Sequence, residues 1–488
     1  MKHFKKTMAL VAAIAMVLAM SITAFADPTI KITAPTGHKY EVYQVFTGTP
    51  ENGELTGLKY GQNAVGETGK AVSQTDMAEL ERIQNATYNN DQERIDDLKP
   101  FVDFDSTPIV QEIASGTASA ELAPGYYVIK DVDGTAPGTD GVTLYMFKVL
   151  DKNLETSAKS DKPSSDKSVD EPKTNASDYN IGDTIPYFLT FTLPSDYANY
   201  KQYYVQFNDK MDDGLTYNGD AKIYYGASDE AGEAINFGTK NQAGATLSYT
   251  IDDLKTGTAK QTALKAGDVI TIKYTAYLND AAVIGKEGNK NEYSVTFSRN
   301  PNQDGGGEPE TGETPKDTTI VFSYKTIFDK IDQDGNKLTG ADFKLEKNVD
   351  GEWVDVTKLN TSAKPAKIGS SAQNSTQFTF QGLDEGQYRL TETFTPSGYN
   401  TLDPITFEIT ADVDGNLGTS EALKNLFSTG LVMTSDVAAG SLTTSIKNQT
   451  GVALPSTGGI GTTIFYVVGA ILVIGAGVVL VTRRRMSA

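Results

Sequence analysis

Cysteine is absent from this chain and histidine nearly so, with His3 and His38 the only two among 488 residues. Without cysteine there are no disulfides, the usual staples of small extracellular β-domains, so mechanical strength must come from elsewhere. With His38 the only histidine beyond the N-terminal apolar run, Cys–His and Ser–His–Asp catalysis and multi-histidine metal sites are nearly excluded; we expect no secreted hydrolase, no metal and no cofactor. Basic charge is also scarce: 43 lysines and arginines face 63 acidic residues, a formal net charge of −20. Such a surface is soluble, self-repelling and unsuited to nucleic acid or anionic lipid.

Long uncharged runs occur only at the two ends. Lys2, Lys5 and Lys6 precede one from Thr7 to Ala26 that closes on Ala24-Phe25-Ala26. This predicts a secretory signal peptide over residues 1–26, its apolar core being short for a membrane span. At the other end, Leu454-Pro455-Ser456-Thr457-Gly458 precedes an uncharged segment from Gly459 to Thr482 and then Arg483-Arg484-Arg485. That segment is long enough for a transmembrane helix, since roughly 20 apolar residues suffice, with the arginines on the cytoplasmic side. Pentapeptide, apolar segment and basic tail together resemble the sorting signal of sortase substrates. The resemblance implies that a sortase attacks the Thr457 carbonyl, releases Gly458 onward and passes Thr457 to an amine. Membrane retention is then transient, and the finished protein sits in the cell wall.

Between the ends, Tyr, Thr, Val and Phe recur in short alternating runs broken by Gly, Asn and Asp, which predicts a mainly β chain of about three domains. The first spans residues 27–150, with a small helical insert between Thr75 and Leu98 where Met77, Leu80 and Ile83 recur at helical spacing. Residues 151–166, rich in Lys, Ser and Asp, read as a linker. The second domain spans 167–300, a Gly/Pro/Glu hinge 301–317, the third domain 318–448, and the spacer and sorting signal 449–488. Leu122, Gly125, Tyr127, Ile129 and Asp131 share the spacing of Leu383, Gly386, Tyr388, Leu390 and Glu392, a faint repeat suggesting domains of similar construction.

In the third domain, Phe328-Asp329-Lys330-Ile331-Asp332, Tyr388-Arg389-Leu390-Thr391-Glu392-Thr393, Pro396-Ser397-Gly398-Tyr399 and Ile446-Lys447-Asn448 resemble the B-type repeat domain of Gram-positive collagen adhesins and pilins. The resemblance implies an immunoglobulin-like β-sandwich in which Lys330 and Asn448 form a spontaneous isopeptide bond promoted by Glu392. In the second domain, Asp166-Lys167-Ser168-Val169, Ile181-Gly182-Asp183-Thr184-Ile185-Pro186-Tyr187, Phe207-Asn208-Asp209 and Asn291-Glu292-Tyr293-Ser294-Val295 resemble the A-type middle domain of shaft pilins. That implies a bond between Lys167 and Asn291 promoted by Asp209, with Lys173 and Asp212 as the alternatives to Lys167 and Asp209. Burial supplies the chemistry, because an apolar core favours a neutral amine beside a neutral carboxylic acid, a nucleophile next to a proton shuttle.

The first domain has Lys31 and Asp131 at plausible positions but no asparagine on its last strand; Asn153 is already in the linker. Asp332-Gln333-Asp334-Gly335-Asn336 starts like a calcium loop, but Phe343 stands where a ligating glutamate is needed, so a β-turn is expected. Shaft pilins carry a polymerising lysine at the end of the first domain, and Val149-Leu150-Asp151-Lys152-Asn153 lies in the matching place. The resemblance therefore implies Lys152 as acceptor, with Lys148, Lys159 and Lys162 as alternatives.

The leading expectation is a structural backbone pilin, not an enzyme. Its partners would be a pilin-type sortase, a wall-anchoring sortase, identical subunits, accessory pilins and peptidoglycan. The alternative is a monomeric wall-anchored adhesin or tip pilin that binds host matrix or glycan.

Overall fold

The computed structural model describes residues 29–451 except 89–90, 115, 133–135, 137, 143, 151–153, 158–161, 172, 227–237, 258–261 and 302–309, together with 468–470 and 472–473. The signal peptide, Lys152, Asn153, Lys159 and Leu454 to Gly458 lie outside these residues, as does nearly all of the apolar segment Gly459 to Thr482. Among the described residues no helix is long and apolar enough to cross a membrane.

The architecture is mainly β, as the alternation predicts, and among the described residues it comprises six sheets. In the N-terminal part, a five-stranded sheet centred on Tyr40–Glu51 and Gly125–Asp131 has two covered faces. Tyr43, Phe46, Tyr126 and Val128 pack on one side against Leu80, Ile83 and Leu98. These come from helices Gln74–Asn85 and Asp91–Leu98, the helical insert, whose start is capped by Ser73 accepting from Asp76 N. On the other side Tyr40, Val42, Tyr127 and Ile129 meet Ile30 and Ile32 of a three-stranded sheet, in which Thr29–Ala34 pairs with Gly116–Glu121 and with Leu154–Ser157.

The middle part is a sandwich. One sheet holds Ser164–Val169, Thr184–Thr192 and Val269–Leu278. The facing sheet holds Val205–Met211, Asn289–Ser298 and Asp317–Phe322, with Thr311–Glu313 pairing onto Asn289–Ser298. Period-two alternation sends Ile272, Tyr274 and Ala276 inward from the first sheet and Val205, Phe207, Tyr293 and Val295 inward from the second, into one shared core.

In the C-terminal sandwich, Tyr324–Ile331 lies parallel to Ser441–Lys447, with Lys330 opposite Ile446. Asp342–Val349, Gly386–Phe394 and Ile405–Val413 form the centre of the facing sheet. Strand Tyr324–Ile331 buries every second residue, Tyr324, Thr326, Phe328 and then Lys330. The pleat that carries three ordinary core residues inward thus carries a lysine inward as the fourth.

Candidate functional site

Lysine is almost never fully buried unless paired, yet Lys167 and Lys330 are both 0% exposed. Each is accompanied by a buried acid and a buried asparagine: Asp209 and Asn291 in the middle sandwich, Glu392 and Asn448 in the C-terminal one.

Lys167 lies on strand Ser164–Val169, opposite Leu189 of the neighbouring strand. Asp209 and Asn291 come from the facing sheet, where Asp209 pairs with Tyr293 and Met211 with Asn291. Lys167 Nζ donates to Asp209 Oδ1 at 2.6 Å. Its ammonium lies over the Tyr187 ring, 5.2 Å from the centroid, and Tyr187 stacks on Tyr274. Burial pushes the Lys167 pKa down, partly opposed by the Asp209 charge. The contact between Asp209 and Asn291 is indirect. Tyr274 donates to Asp209 Oδ2 and accepts from Asn291 Nδ2 at 2.6 Å. Lys173 and Asp212, the alternatives, are exposed on the outside.

In the C-terminal cluster the acid touches the asparagine directly. Asn448 Nδ2 donates to Glu392 Oε1 at 2.9 Å and Oε2 at 3.1 Å, and also faces the Asn400 carbonyl at 2.9 Å. Thr395 and the Leu402 amide donate to Glu392 Oε2 and fix its orientation. Lys330 Nζ donates to the carbonyls of Ile331, at 2.9 Å, and Ile446, at 3.2 Å. Desolvation pushes its pKa down to about 8, against the opposing influence of Glu392 and Asp332, so the neutral amine is far more populated near physiological pH than in an ordinary lysine. In both clusters the asparagine Oδ1 is buried without a hydrogen-bond partner.

The N-terminal part follows a different pattern. Asp131, which the repeat aligns with Glu392, is buried, but Lys31 is exposed. Asp131 instead faces His38 Nδ1 at 2.9 Å, while His38 Nε2 faces Asp140 at 3.2 Å. Burial pushes the imidazole down, but the two carboxylates more than offset this and its pKa is raised. Of the acceptor alternatives, Lys148 Nζ donates to the Gly53 carbonyl at 3.0 Å and is mostly buried, whereas Lys162 is largely exposed and pairs with Asp140 at 2.9 Å. The segment Asp332 to Asn336 is a turn in which Asp332 Oδ1 accepts from the Asp334 and Asn336 amides.

Sequence reasoning missed Tyr274. Its signal was present in the alternation Ile270, Ile272, Tyr274, Ala276, Leu278, all buried, because an inward tyrosine needs a partner for its hydroxyl.

Comparison with known proteins agrees with this architecture. Residues 325–422 match the prealbumin-like fold domain SpaA, and residues 446–487 match the LPXTG cell wall anchor motif. The trypsin-resistant surface T6 protein of Streptococcus pyogenes serotype M6 is 27% identical over 377 residues, 63% of this chain; the chain spans 65% of that relative's length. The solved T6 backbone pilin of that serotype, described as a modular three-domain structure, superposes with a TM-score of 0.51 at 18% identity, covering 88% of this chain and 100% of the pilin. The full-length major pilin SpaD of Corynebacterium diphtheriae gives a TM-score of 0.46 at 16% identity, covering 88% of this chain and 99% of SpaD.

Proposed function

We propose that this chain is the structural backbone subunit of a covalent cell-surface pilus, exported, polymerised by a pilin-type sortase and finally attached to peptidoglycan. The observation that carries this reading is the pairing of an LPXTG anchor motif with two wholly buried lysine, acid and asparagine clusters. A covalent cross-link at each cluster would suit a shaft that must bear tension. Similarity to the T6 surface protein and to the T6 pilin fold supports the same reading.

In each cluster the lysine amine attacks the asparagine Cγ, ammonia leaves, and an amide joins the two side chains. Lys167 bonds Asn291 with Asp209 as proton shuttle, and Lys330 bonds Asn448 with Glu392 in that role. Forming the bond also removes a cost, because a buried ammonium becomes part of a neutral amide. Closing a loop of roughly 120 residues removes about 4.7 kcal/mol of unfolded-state entropy in the chain model. Tension entering a sandwich near one end would cross through the bond rather than peel its strands. Reduction cannot break it, which answers the missing cysteines.

Polymerisation joins Thr457 of one subunit to Lys152 of the next. The three modules are the N-terminal part, whose sheet takes in Leu154–Ser157, the middle sandwich, whose strands run from Ser164–Val169 to Asp317–Phe322, and the C-terminal sandwich, whose strands run from Tyr324–Ile331 to Ser441–Lys447. Immunoblots of wall extracts test the proposal. A high-molecular-weight ladder that collapses to a single band on Lys152→Ala is expected; a single band from the unaltered chain would reject polymerisation.

A further inference from the structure

Resting on the cross-linking reading above, we propose that Tyr274 is a catalytic proton relay for the Lys167–Asn291 bond, carrying to the departing nitrogen a proton that Asp209 is too short to deliver. Three observations carry the inference. First, the Tyr274 hydroxyl touches every member of the cluster: Asp209 Oδ2, Asn291 Nδ2 at 2.6 Å and Lys167 Nζ at 3.4 Å. Second, the hydroxyl has one proton. Given to the Asp209 carboxylate, it obliges the asparagine to present its NH2 group, so the nitrogen that must leave is the one against the phenol. Third, among the described residues no tyrosine hydrogen-bonds to Glu392 or Asn448, and none is needed, because the longer Glu392 accepts from Asn448 Nδ2 with both oxygens.

The protons balance without any outside reagent. Lys167 gives one proton to Asp209 and attacks Asn291 Cγ as a neutral amine; the C–N bond forms and the carbonyl electron pair moves to Oδ1. With Cγ tetrahedral, Nδ2 regains a lone pair facing the phenol. Tyr274 gives its proton to Nδ2 and is refilled from the Asp209 carboxyl, and the carboxylate so restored takes the surplus proton from Nζ. Oδ1 returns its electrons, the Cγ–Nδ2 bond breaks, and ammonia departs. The cluster ends as amide, neutral Asp209 and intact Tyr274.

The test follows bond formation in the full ectodomain made by cell-free synthesis, quenched in acid at intervals, with peptide mapping to score the joined 167–291 and 330–448 peptides separately. Tyr274→Phe is expected to slow the first bond about 100-fold, the lower end of what a positioned acid–base group supplies, and to leave the second bond unchanged as an internal control. A first bond forming at the unaltered rate would overturn the relay. A fluorinated tyrosine at position 274 keeps the shape and the hydrogen bonds but makes the phenol more acidic, so it decides the matter even if Tyr274→Phe misfolds. A relay makes the rate follow phenol acidity, and a rate indifferent to it overturns the proposal. Absence of the joined 167–291 peptide from the unaltered chain would instead refute the cross-linking reading itself.

Discussion

The middle and C-terminal sandwiches assemble the same three functional groups by different routes. In the middle sandwich the lysine and the asparagine stand on opposite sheets, the acid holds the lysine, and a tyrosine bridges to the asparagine. In the C-terminal sandwich the lysine strand and the strand leading to the asparagine are parallel neighbours in one sheet, and the acid reaches across from the other sheet to hold the asparagine. One bond would therefore staple two sheets together and the other would staple the first strand to the last. The difference shows that the chemistry demands burial, a neutral amine and a proton path, and leaves open which partner the acid grips. A side chain one methylene shorter changes what else the core must supply.

The largest expected effect comes from removing each bond. Asn448→Ala and Asn291→Ala should each raise the intact mass of the ectodomain by about 17 Da relative to the unaltered protein, after allowing for the substitution, because ammonia is no longer lost. Each should lower the melting temperature of its own sandwich by roughly 15 °C, as expected for about 4.7 kcal/mol in a domain of this size. An unchanged mass difference would reject the bond at that site.

Shortening the second acid sharpens the comparison. Glu392→Asp withdraws the carboxyl from Asn448 with no tyrosine to bridge the gap, and should slow that bond about 100-fold in timed mass spectra. If it reacts as fast as the unaltered chain, reach is not what distinguishes the two clusters.

A smaller effect is read in the pH dependence of the unlinked Asn448→Ala variant. Lys330 has a folded pKa lowered to about 8, against about 10.4 in the unfolded chain. Between those values the unfolded state binds more protons, so stability rises as pH rises. The gain should be about 2 kcal/mol between pH 8 and 10 in denaturant titrations. The cross-linked protein, whose lysine is an amide, should lack this rise. Smallest of all, Lys173→Ala should leave both bonds intact and shift stability by no more than about 0.5 kcal/mol, as exposed positions do; loss of the joined 167–291 peptide would return Lys173 to contention.

Much of the fold was legible because its signals are local. Alternation marked the strands, and Met77, Leu80 and Ile83 marked the helical insert. The same alternation that buries Phe328 buries Lys330, so a lysine on the apolar phase of a strand is an anomaly visible in the linear pattern alone. The N-terminal part shows the limit of this reasoning. Its Asp131 shares the spacing of Glu392, yet its partner is His38, a residue far from it in sequence.

By itself the sequence determined the absence of disulfides, the scarcity of histidine, the basic and apolar ends, the anchor motif and the periodicity of the strands, because each of these is carried by composition or by neighbours along the chain. Only the tertiary structure decided which buried acid grips which partner, that Lys31 stays outside, and that Tyr274 stands between Asp209 and Asn291. Those outcomes depend on how facing sheets are registered across a core, and a side chain's reach across that gap is a distance that no linear spacing encodes.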